Sequence, residues 1–280
     1  MRNRKPAVAG QFYQAEKNSL IEEIKNCFMH PVGPGSLPPA PDTKQEILAT
    51  LNPHAGYMYS GPVAAHSFYA ISRLRPDLII IIGPNHYGIG SGVAVPQSDG
   101  WETPLGNLKI DVYAARELMK TSGIVDMDDA AHWREHSIEV QLPFIQFVFG
   151  EFVKILPISM ALQDHKTSIE LGEAVARLAR GKNVILIASS DFTHYEPHET
   201  AKAKDSKALE YILAYDVAGF YGYIERSSIS MCGYGPVAAV IVAAKMLGAD
   251  KSKLLRYATS GDTSGERSSV VGYSSAIFFR

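Results

Sequence analysis

The sequence predicts an α/β fold in one domain over residues 1–280, in which helices flank both faces of a central sheet that is mostly parallel or mixed. Three observations predict it. Short apolar runs alternate along the chain with longer segments of helical periodicity. Two of these runs are apolar throughout, which is typical of strands covered on both faces. The sequence also has no internal repeat and no clear boundary of a second domain.

The apolar runs are the predicted strands. The clearest are residues 78–82, which contain four consecutive isoleucines, and residues 184–188. A β-hairpin is expected over residues 100–110, where Gly106 and Asn107 supply the turn. The predicted strands outside this hairpin are 47–51, 78–82, 93–95, 153–158, 184–188, 254–258 and 270–278.

Helices are predicted between these strands. Pro62 and Pro236 each follow a glycine and suit the first turn of a helix, where a missing N–H has no cost. The proline-rich segment 31–41 predicts a surface connection. Residues 259–265 resemble an anion-binding loop in composition, but their place between two strands favours a hairpin loop. The predicted helices are 16–28, 62–73, 112–121, 137–149, 167–180, 198–215 and 236–247.

Composition and charge exclude several classes of protein. A hydrophobic fraction of 46% excludes intrinsic disorder for most of the chain. The 27 basic residues nearly balance the 29 acidic ones, which argues against a nucleic-acid partner. The longest apolar segment, residues 237–247, contains Lys245 and is shorter than the roughly 20 residues that span a membrane. Only Cys27 and Cys232 are present, which favours the reducing cytoplasm over a disulfide framework.

Three predicted strands run directly into a loop that carries a histidine. These histidines are His54, His86 and His194. In an open α/β sheet, ligands bind beyond the carboxyl ends of the strands, where such loops meet. A shared site for the three imidazoles is therefore expected, the alternative being ordinary loop histidines that bond to the backbone.

Cys232 lies immediately before a predicted helix. The positive end of a helix dipole lowers the pKa of a nearby thiol and favours the thiolate. Two imidazoles and one thiolate are suitable ligands for zinc, copper or iron. The alternative is a small buried residue that opens a helix.

His136 and Glu139 lie three residues apart, on what is predicted to be the first turn of the helix over 137–149, with Ser137 as its cap. Such a pair could orient ligand histidines or contact a substrate. An ordinary capping and ion-pair arrangement explains the same residues equally well.

Six sequence blocks resemble, in order, the signature blocks of the Memo family, whose prokaryotic members are called AmmeMemoRadiSam system protein B. They extend over most of the chain, so the resemblance is far more specific than any single motif. The blocks are PAVAGQFY at 6–13, PHAGYMYSG at 53–61, GPNH at 83–86, EHSIE at 135–139, SSDFTHY at 189–195 and CG at 232–233.

This family is similar in fold to class III extradiol dioxygenases of the LigB type. The resemblance implies that His54, His86 and Cys232 are metal ligands. It also implies that His194 is an acid–base residue, with Asp191 beside it. Those dioxygenases bind their metal with two histidines and a carboxylate, whereas this sequence offers a cysteine, which favours softer metals. Iron or copper is the implied cofactor, with zinc as the alternative.

The implied function is that of a metal-dependent oxidoreductase acting on a small molecule. The alternative is a catalytically silent binding or adaptor module that uses the same cavity for a peptide or a partner protein. In a third interpretation, the metal only stabilises the fold. A chain of 280 residues can bury a sufficient hydrophobic core without a metal. The resemblance also implies radical-SAM and AMMECR-type proteins as partners, and no membrane.

Overall fold

The computed structural model describes residues 2–40 and 46–280. The strands are β1 Asn3–Arg4, β2 Ile47–Asn52, β3 Leu78–Pro84, β4 Val93–Val95, β5 Gly100–Thr103, β6 Gly106–Lys109, β7 Asp126–Met127, β8 Lys154–Met160, β9 Val184–Ser189, β10 His194–Glu196, β11 Lys251–Thr259 and β12 Val270–Phe279. The helices are α1 Lys17–Met29, α2 Tyr57–Ile71, α3 Val112–Ser122, α4 Leu142–Phe149, α5 His165–Ala179, α6 His198–Leu213, α7 Val217–Ser227, α8 Tyr234–Met246 and α9 Ser260–Ser264.

Within the described ranges, nine strands form the central sheet. Their order is β10-β12-β2-β9-β3-β8-β4-β7, and β11 pairs with β12. The four central strands β2, β9, β3 and β8 are parallel, whereas β12 and β4 run antiparallel to their neighbours β2 and β8. The predicted mixed sheet with a parallel centre is confirmed. The predicted hairpin is also present, as β5 and β6 of a separate three-stranded sheet.

Helices cover both faces of the sheet, because successive side chains of a strand point to opposite sides. On β3, Ile80 and Ile82 pack in a cluster that includes residues of α3, α5, α6, α7 and α8. Ile79 and Ile81 pack in a second cluster, which includes residues of α1, α2 and α4. Two hydrophobic cores on one sheet explain why residues 78–82 are apolar without interruption.

Several details differ from the sequence-based expectations, and one of them is that His194 begins the short strand β10 instead of lying in a loop. Helix α4 begins at Leu142 and not at Ser137. Ser137 donates its hydroxyl proton to the Pro84 carbonyl instead of capping a helix. A short 3₁₀ helix, Glu139–Gln141, lies between Ser137 and α4. Helix α2 begins at Tyr57, which leaves Pro62 inside the helix and not in its first turn. Helix α7 was not expected as a separate element.

Other expectations hold. Residues 31–40 contain no helix or strand, while Pro41 lies outside the described residues. Residues 259–265 belong to the connection between the antiparallel strands β11 and β12. In the part of the chain that is described, no helix is both long and apolar enough to cross a membrane.

A candidate metal centre at the carboxyl edge of the sheet

The parallel strands β2, β9 and β3 lie side by side and end at the same edge of the sheet. His54 follows β2 by two residues, Asp191 follows β9 by two, and His86 follows β3 by two. This topology brings together segments that are far apart in the sequence. The rings of His54 and His86 lie 5.2 Å apart, measured between their centroids.

His136 completes a cluster of three imidazoles. One ligand nitrogen each of His54, His86 and His136 lies within 4.8 Å of the others, a geometry that could hold a metal ion. The rings of His86 and His136 stack at 4.5 Å, and His54 meets both edge-on. His136 was expected only to orient ligands or contact a substrate, because it follows no strand.

Hydrogen bonds fix the tautomers of two of these imidazoles. His86 donates from Nδ1 to a carboxylate oxygen of Glu135 at 2.9 Å. His54 Nδ1 lies 2.9 Å from the Ser189 hydroxyl, which gives its own proton to the Ser137 carbonyl and therefore accepts from His54. In both rings the lone pair is consequently on Nε2, the atom that could bind a metal.

Glu135 is the buried anchor of the cluster, and sequence reasoning did not assign it a role. Its carboxylate accepts the backbone N–H groups of His86, His136 and Ser137 in addition to the His86 ring. Burial acts to raise the pKa of Glu135, but the hydrogen bond to His86 and the nearby imidazoles lower it to about 2. The EH pair at 135–136 was the only sequence signal for this role.

Burial keeps the imidazoles of His54 and His136 neutral. It holds the pKa of His54 well below its usual range and lowers the pKa of His136 to about 4, each with a contribution from the neighbouring histidines. Neutral imidazole is the form that binds metal ions, so these two side chains are ready to act as ligands near neutral pH.

Cys232 is placed against His54, with its sulfur 3.1 Å from His54 Nε2. It also accepts the Asp191 backbone N–H at 3.3 Å. The expected lowering of its pKa by the helix terminus is wrong. Burial and the Asp191 charge raise the pKa of this thiol instead, because both disfavour a thiolate.

His194 and Asp191 lie in the same cavity as the three imidazoles, which has a volume of about 720 Å³. His194 donates from Nδ1 to the Ser230 carbonyl at 2.8 Å, so its Nε2 is a proton acceptor. The Asp191 carboxylate accepts the His54 backbone N–H at 2.7 Å. Burial raises the pKa of Asp191 to about 6.

Glu139 lies behind the cavity and does not line it. Its carboxylate forms a buried ion pair with Arg4 and accepts hydrogen bonds from the Tyr13 hydroxyl and from two backbone N–H groups of the N-terminal segment. This segment carries Phe12, whose ring packs at 4.7 Å from that of His136. Glu139 therefore holds the N-terminal segment, which in turn forms a wall of the cavity.

The rest of the cavity wall includes four aromatic residues, together with small, polar and acidic ones. The aromatic residues are Phe12, Tyr59, Tyr195 and Tyr273. A larger cleft, of about 1200 Å³, lies at the opposite edge of the sheet, before β3, β8 and β9. The residues that line this cleft include no histidine or cysteine. The clustered histidines line the smaller cavity instead.

Comparison with known proteins agrees with this architecture. A crystal structure of an uncharacterized protein from Escherichia coli K12 superposes with a TM-score of 0.58 at 15% identity, covering 82% of this chain and 99% of that chain. This likeness shows a shared fold.

The sequence comparisons are closer. A MEMO1 family protein of Methanopyrus kandleri is 49% identical over 280 residues, which cover 99% of both chains. A second, from Methanothermobacter thermautotrophicus, is 50% identical over 96% of this chain and 98% of its own. The family model described as Memo-like protein matches residues 4–277. The chain therefore belongs to the Memo family.

Proposed function

We propose that this protein is a metal-dependent oxidoreductase that acts on a small organic molecule, with iron or copper as its metal and zinc as the alternative. One observation carries the proposal. Two imidazoles of the three-histidine cluster are fixed by hydrogen bonds in the tautomer that places the lone pair on Nε2. Oxygen partners on Nδ1 are the usual arrangement around metal-binding histidines.

His54 and His86 would hold the metal, and His136 and Cys232 are the candidates for its remaining protein ligands. Iron or copper would supply a site for electron transfer to or from the substrate, whereas zinc, which has no redox chemistry, would only polarise it. The mixed nitrogen and sulfur donors suit copper, iron or zinc better than hard ions such as magnesium.

His194 would accept a proton from the substrate. Its Nδ1–H is engaged by the Ser230 carbonyl, which leaves Nε2 as the basic atom. Asp191 lines the same cavity and holds the loop of His54 through its backbone N–H. We therefore assign the proton transfer to His194 and a supporting role to Asp191.

The test is the metal content of the purified protein, measured by plasma mass spectrometry without prior metal-affinity purification. We expect near-stoichiometric iron or copper in the wild type and its loss in His54→Ala and His86→Ala. Cys232→Ser and His136→Ala reveal which of the two completes the ligand set. His165→Ala, at the start of α5, is the matched control and should keep its metal.

His194→Ala separates catalysis from metal binding. It should retain the metal but lose turnover, since only the proton acceptor is removed. If the wild type takes up no iron, copper or zinc under reducing conditions, the proposal is overturned.

A binding or adaptor module remains the second candidate, because Tyr195, which lines the cavity, exposes 78% of its surface. An exposed aromatic side chain at a cavity mouth suits contact with a peptide or with a partner such as a radical-SAM or AMMECR-type protein. Under this alternative, partner affinity should survive His194→Ala and fall in Tyr195→Ala.

A further inference from the structure

The mouth of the cavity is formed by two chain segments, one with an exposed aromatic ring and the other with an exposed carboxylate. Tyr195 of β10 is 78% exposed, and Glu266 lies in the connection between α9 and β12. Strand β10 pairs with β12, and the Arg267 carbonyl accepts the His198 backbone N–H at 3.0 Å. These contacts hold the two segments side by side.

Tyr195 has a strained backbone. Its φ of 60° lies in the left-handed region, which is uncommon for a residue with a large side chain. The pairing register of β10 with β12 also shifts between His194 and Glu196, and a bulge of this kind redirects a side chain. Strained residues are concentrated at ligand sites. Here the strain places an aromatic ring at the mouth of the cavity.

The charged side chains that line the cavity are Asp191 and Glu266, and among the residues that the structure describes no lysine or arginine lines it. A hydrogen bond from the Ser268 backbone N–H lowers the pKa of Glu266, which is therefore ionised at neutral pH. Burial raises the pKa of Asp191 only to about 6, so most of this group is ionised as well. Arg267, the residue after Glu266, pairs with Asp262 at 2.9 Å. The cavity wall therefore favours a cation over an anion.

Aromatic rings give the cavity a second attraction for a cation. The four rings belong to Phe12, Tyr59, Tyr195 and Tyr273. The face of such a ring attracts an ammonium group, and its apolar surface accommodates the hydrocarbon part of the same molecule. The imidazoles of His54 and His136 are neutral and do not oppose a positive charge. A volume of about 720 Å³ suits a small organic molecule.

We propose that the cavity binds a small organic ammonium ion, whose positive charge lies at the mouth between Glu266 and the Tyr195 ring. Asp191 adds to the attraction from within the cavity. A metal ion at the histidine cluster would lie deeper, since His54 is 1% exposed and Tyr195 is 78% exposed, and this keeps the two positive charges apart. The role of the ammonium compound as a substrate rests on the function proposed above, whereas its binding does not.

The experiment compares three probes of nearly equal size and different charge. They are 2-phenylethylammonium, the neutral 2-phenylethanol and the anionic 3-phenylpropanoate. Isothermal titration calorimetry near neutral pH measures the dissociation constant of each with the intact chain. We expect the cation to bind about tenfold more tightly than the alcohol and the carboxylate to bind most weakly, because both formal charges on the cavity wall are negative.

Two substitutions at the mouth test the position of the charge. Glu266→Gln should weaken binding of the cation about threefold to tenfold and leave binding of the alcohol unchanged. Tyr195→Leu should weaken binding of the cation about twofold to fivefold, as expected for an exposed cation–π contact. The matched controls are Glu225→Gln, at an exposed position of α7, and Tyr113→Leu, at a tyrosine of α3 that is 81% exposed. Both should bind as the wild type does.

Each titration is run with chelator and with added zinc. A preference for the cation in the presence of chelator that falls in Glu266→Gln or Tyr195→Leu supports the inference, even if the protein proves to bind no metal and the proposed function fails. No binding of the cation, equal affinities for the three probes, or a preference that survives both substitutions overturns it. A preference that appears only with zinc also overturns it, because the amine would then be a metal ligand. Circular dichroism of each variant shows whether a weaker affinity results from misfolding.

Discussion

At the scale of single residues, the buried ion pair of Arg4 and Glu139 connects the N-terminal segment to the site. The two side chains are 4% and 0% exposed. The Arg4 guanidinium also donates to the carbonyls of His132 and Glu135. Glu135 in turn holds His86, so the ion pair lies directly behind the histidine cluster.

We expect Glu139→Gln to lower the free energy of unfolding by about 3–5 kcal/mol, because it leaves the Arg4 charge buried without its partner. Urea unfolding followed by circular dichroism measures this. Glu102→Gln, at the exposed Lys5 pair, is the control and should leave the stability nearly unchanged, because solvent screens exposed ion pairs. A Glu139→Gln protein of unchanged stability would contradict a structural role for Glu139.

Asp205 lies behind His194 and gives a pH-dependent prediction. Its carboxylate accepts hydrogen bonds from Thr193 and from the Tyr257 hydroxyl, and burial raises its pKa to about 6. The folded protein therefore binds the proton more tightly than the unfolded chain, whose Asp pKa is about 3.9. The resulting stability is fully present below about pH 4 and is lost as the pH rises through 6.

Asp205→Asn should remove this dependence. The wild type should lose about 2 kcal/mol of stability relative to Asp205→Asn between about pH 4 and pH 7, since one pKa unit corresponds to about 1.4 kcal/mol and the unfolded carboxyl is already half ionised at pH 4. Urea unfolding of both proteins at the two pH values measures the difference in stability. The contributions of the other titrating groups are the same in both proteins and therefore cancel. A difference that is independent of pH would show that Asp205 is ionised in the folded protein throughout.

At the scale of secondary-structure elements, α5 and α8 pack closely on one face of the sheet. Gly172 of α5 allows this approach, because a Cβ atom at this position would lie 2.6 Å from the Ala239 carbonyl oxygen and 2.7 Å from the Val242 side chain. Helix α8 follows directly after Cys232, so the contact also fixes the position of the thiol.

Gly172→Ala should destabilise the protein by about 1–3 kcal/mol, although alanine is the better helix former, because the two helices must move apart. Glu170→Ala, an exchange at an ion-paired position on the same helix, is the control and should stay within about 0.5 kcal/mol. Thermal and urea unfolding measure both. Stabilisation by Gly172→Ala would mean that the interface accommodates the methyl group.

The elements could be predicted where their pattern is set by burial alone. Residues 78–82 and 184–188 are apolar because both faces of β3 and β9 are covered, and the sequence shows this directly. The start of α4 could not be predicted, since the preceding segment is shaped by contacts of Ser137 and Glu139 with distant residues. Tertiary contacts of this kind leave no local periodicity.

At the scale of the whole molecule, the sheet order decides which loops meet. His54 and His86 could be placed at one edge because each follows a strand, and parallel strands expose their carboxyl ends together. The position of His136 against both could not be inferred, because it depends on where the turn at 135–141 lies over the end of β3. The histidine cluster is therefore a product of topology more than of any local motif.

The same topology predicts that folding does not depend on the metal. The two hydrophobic cores lie on the faces of the sheet, whereas His54 and His86 follow strand ends at its carboxyl edge. A metal at about 100 times its dissociation constant adds roughly 2.7 kcal/mol, so chelation of the loaded protein should lower the melting temperature by about 5–10 °C. The apoprotein should still unfold in one cooperative transition.

Differential scanning calorimetry with and without chelator measures this effect. His54→Ala serves as the control, since a protein that has lost a ligand should show almost no response to the chelator. Loss of the folded state on chelation would contradict the prediction and would mean that the protein needs the metal to fold. A modest shift would leave the binding energy of the metal available for chemistry, because the fold already holds the ligands in place.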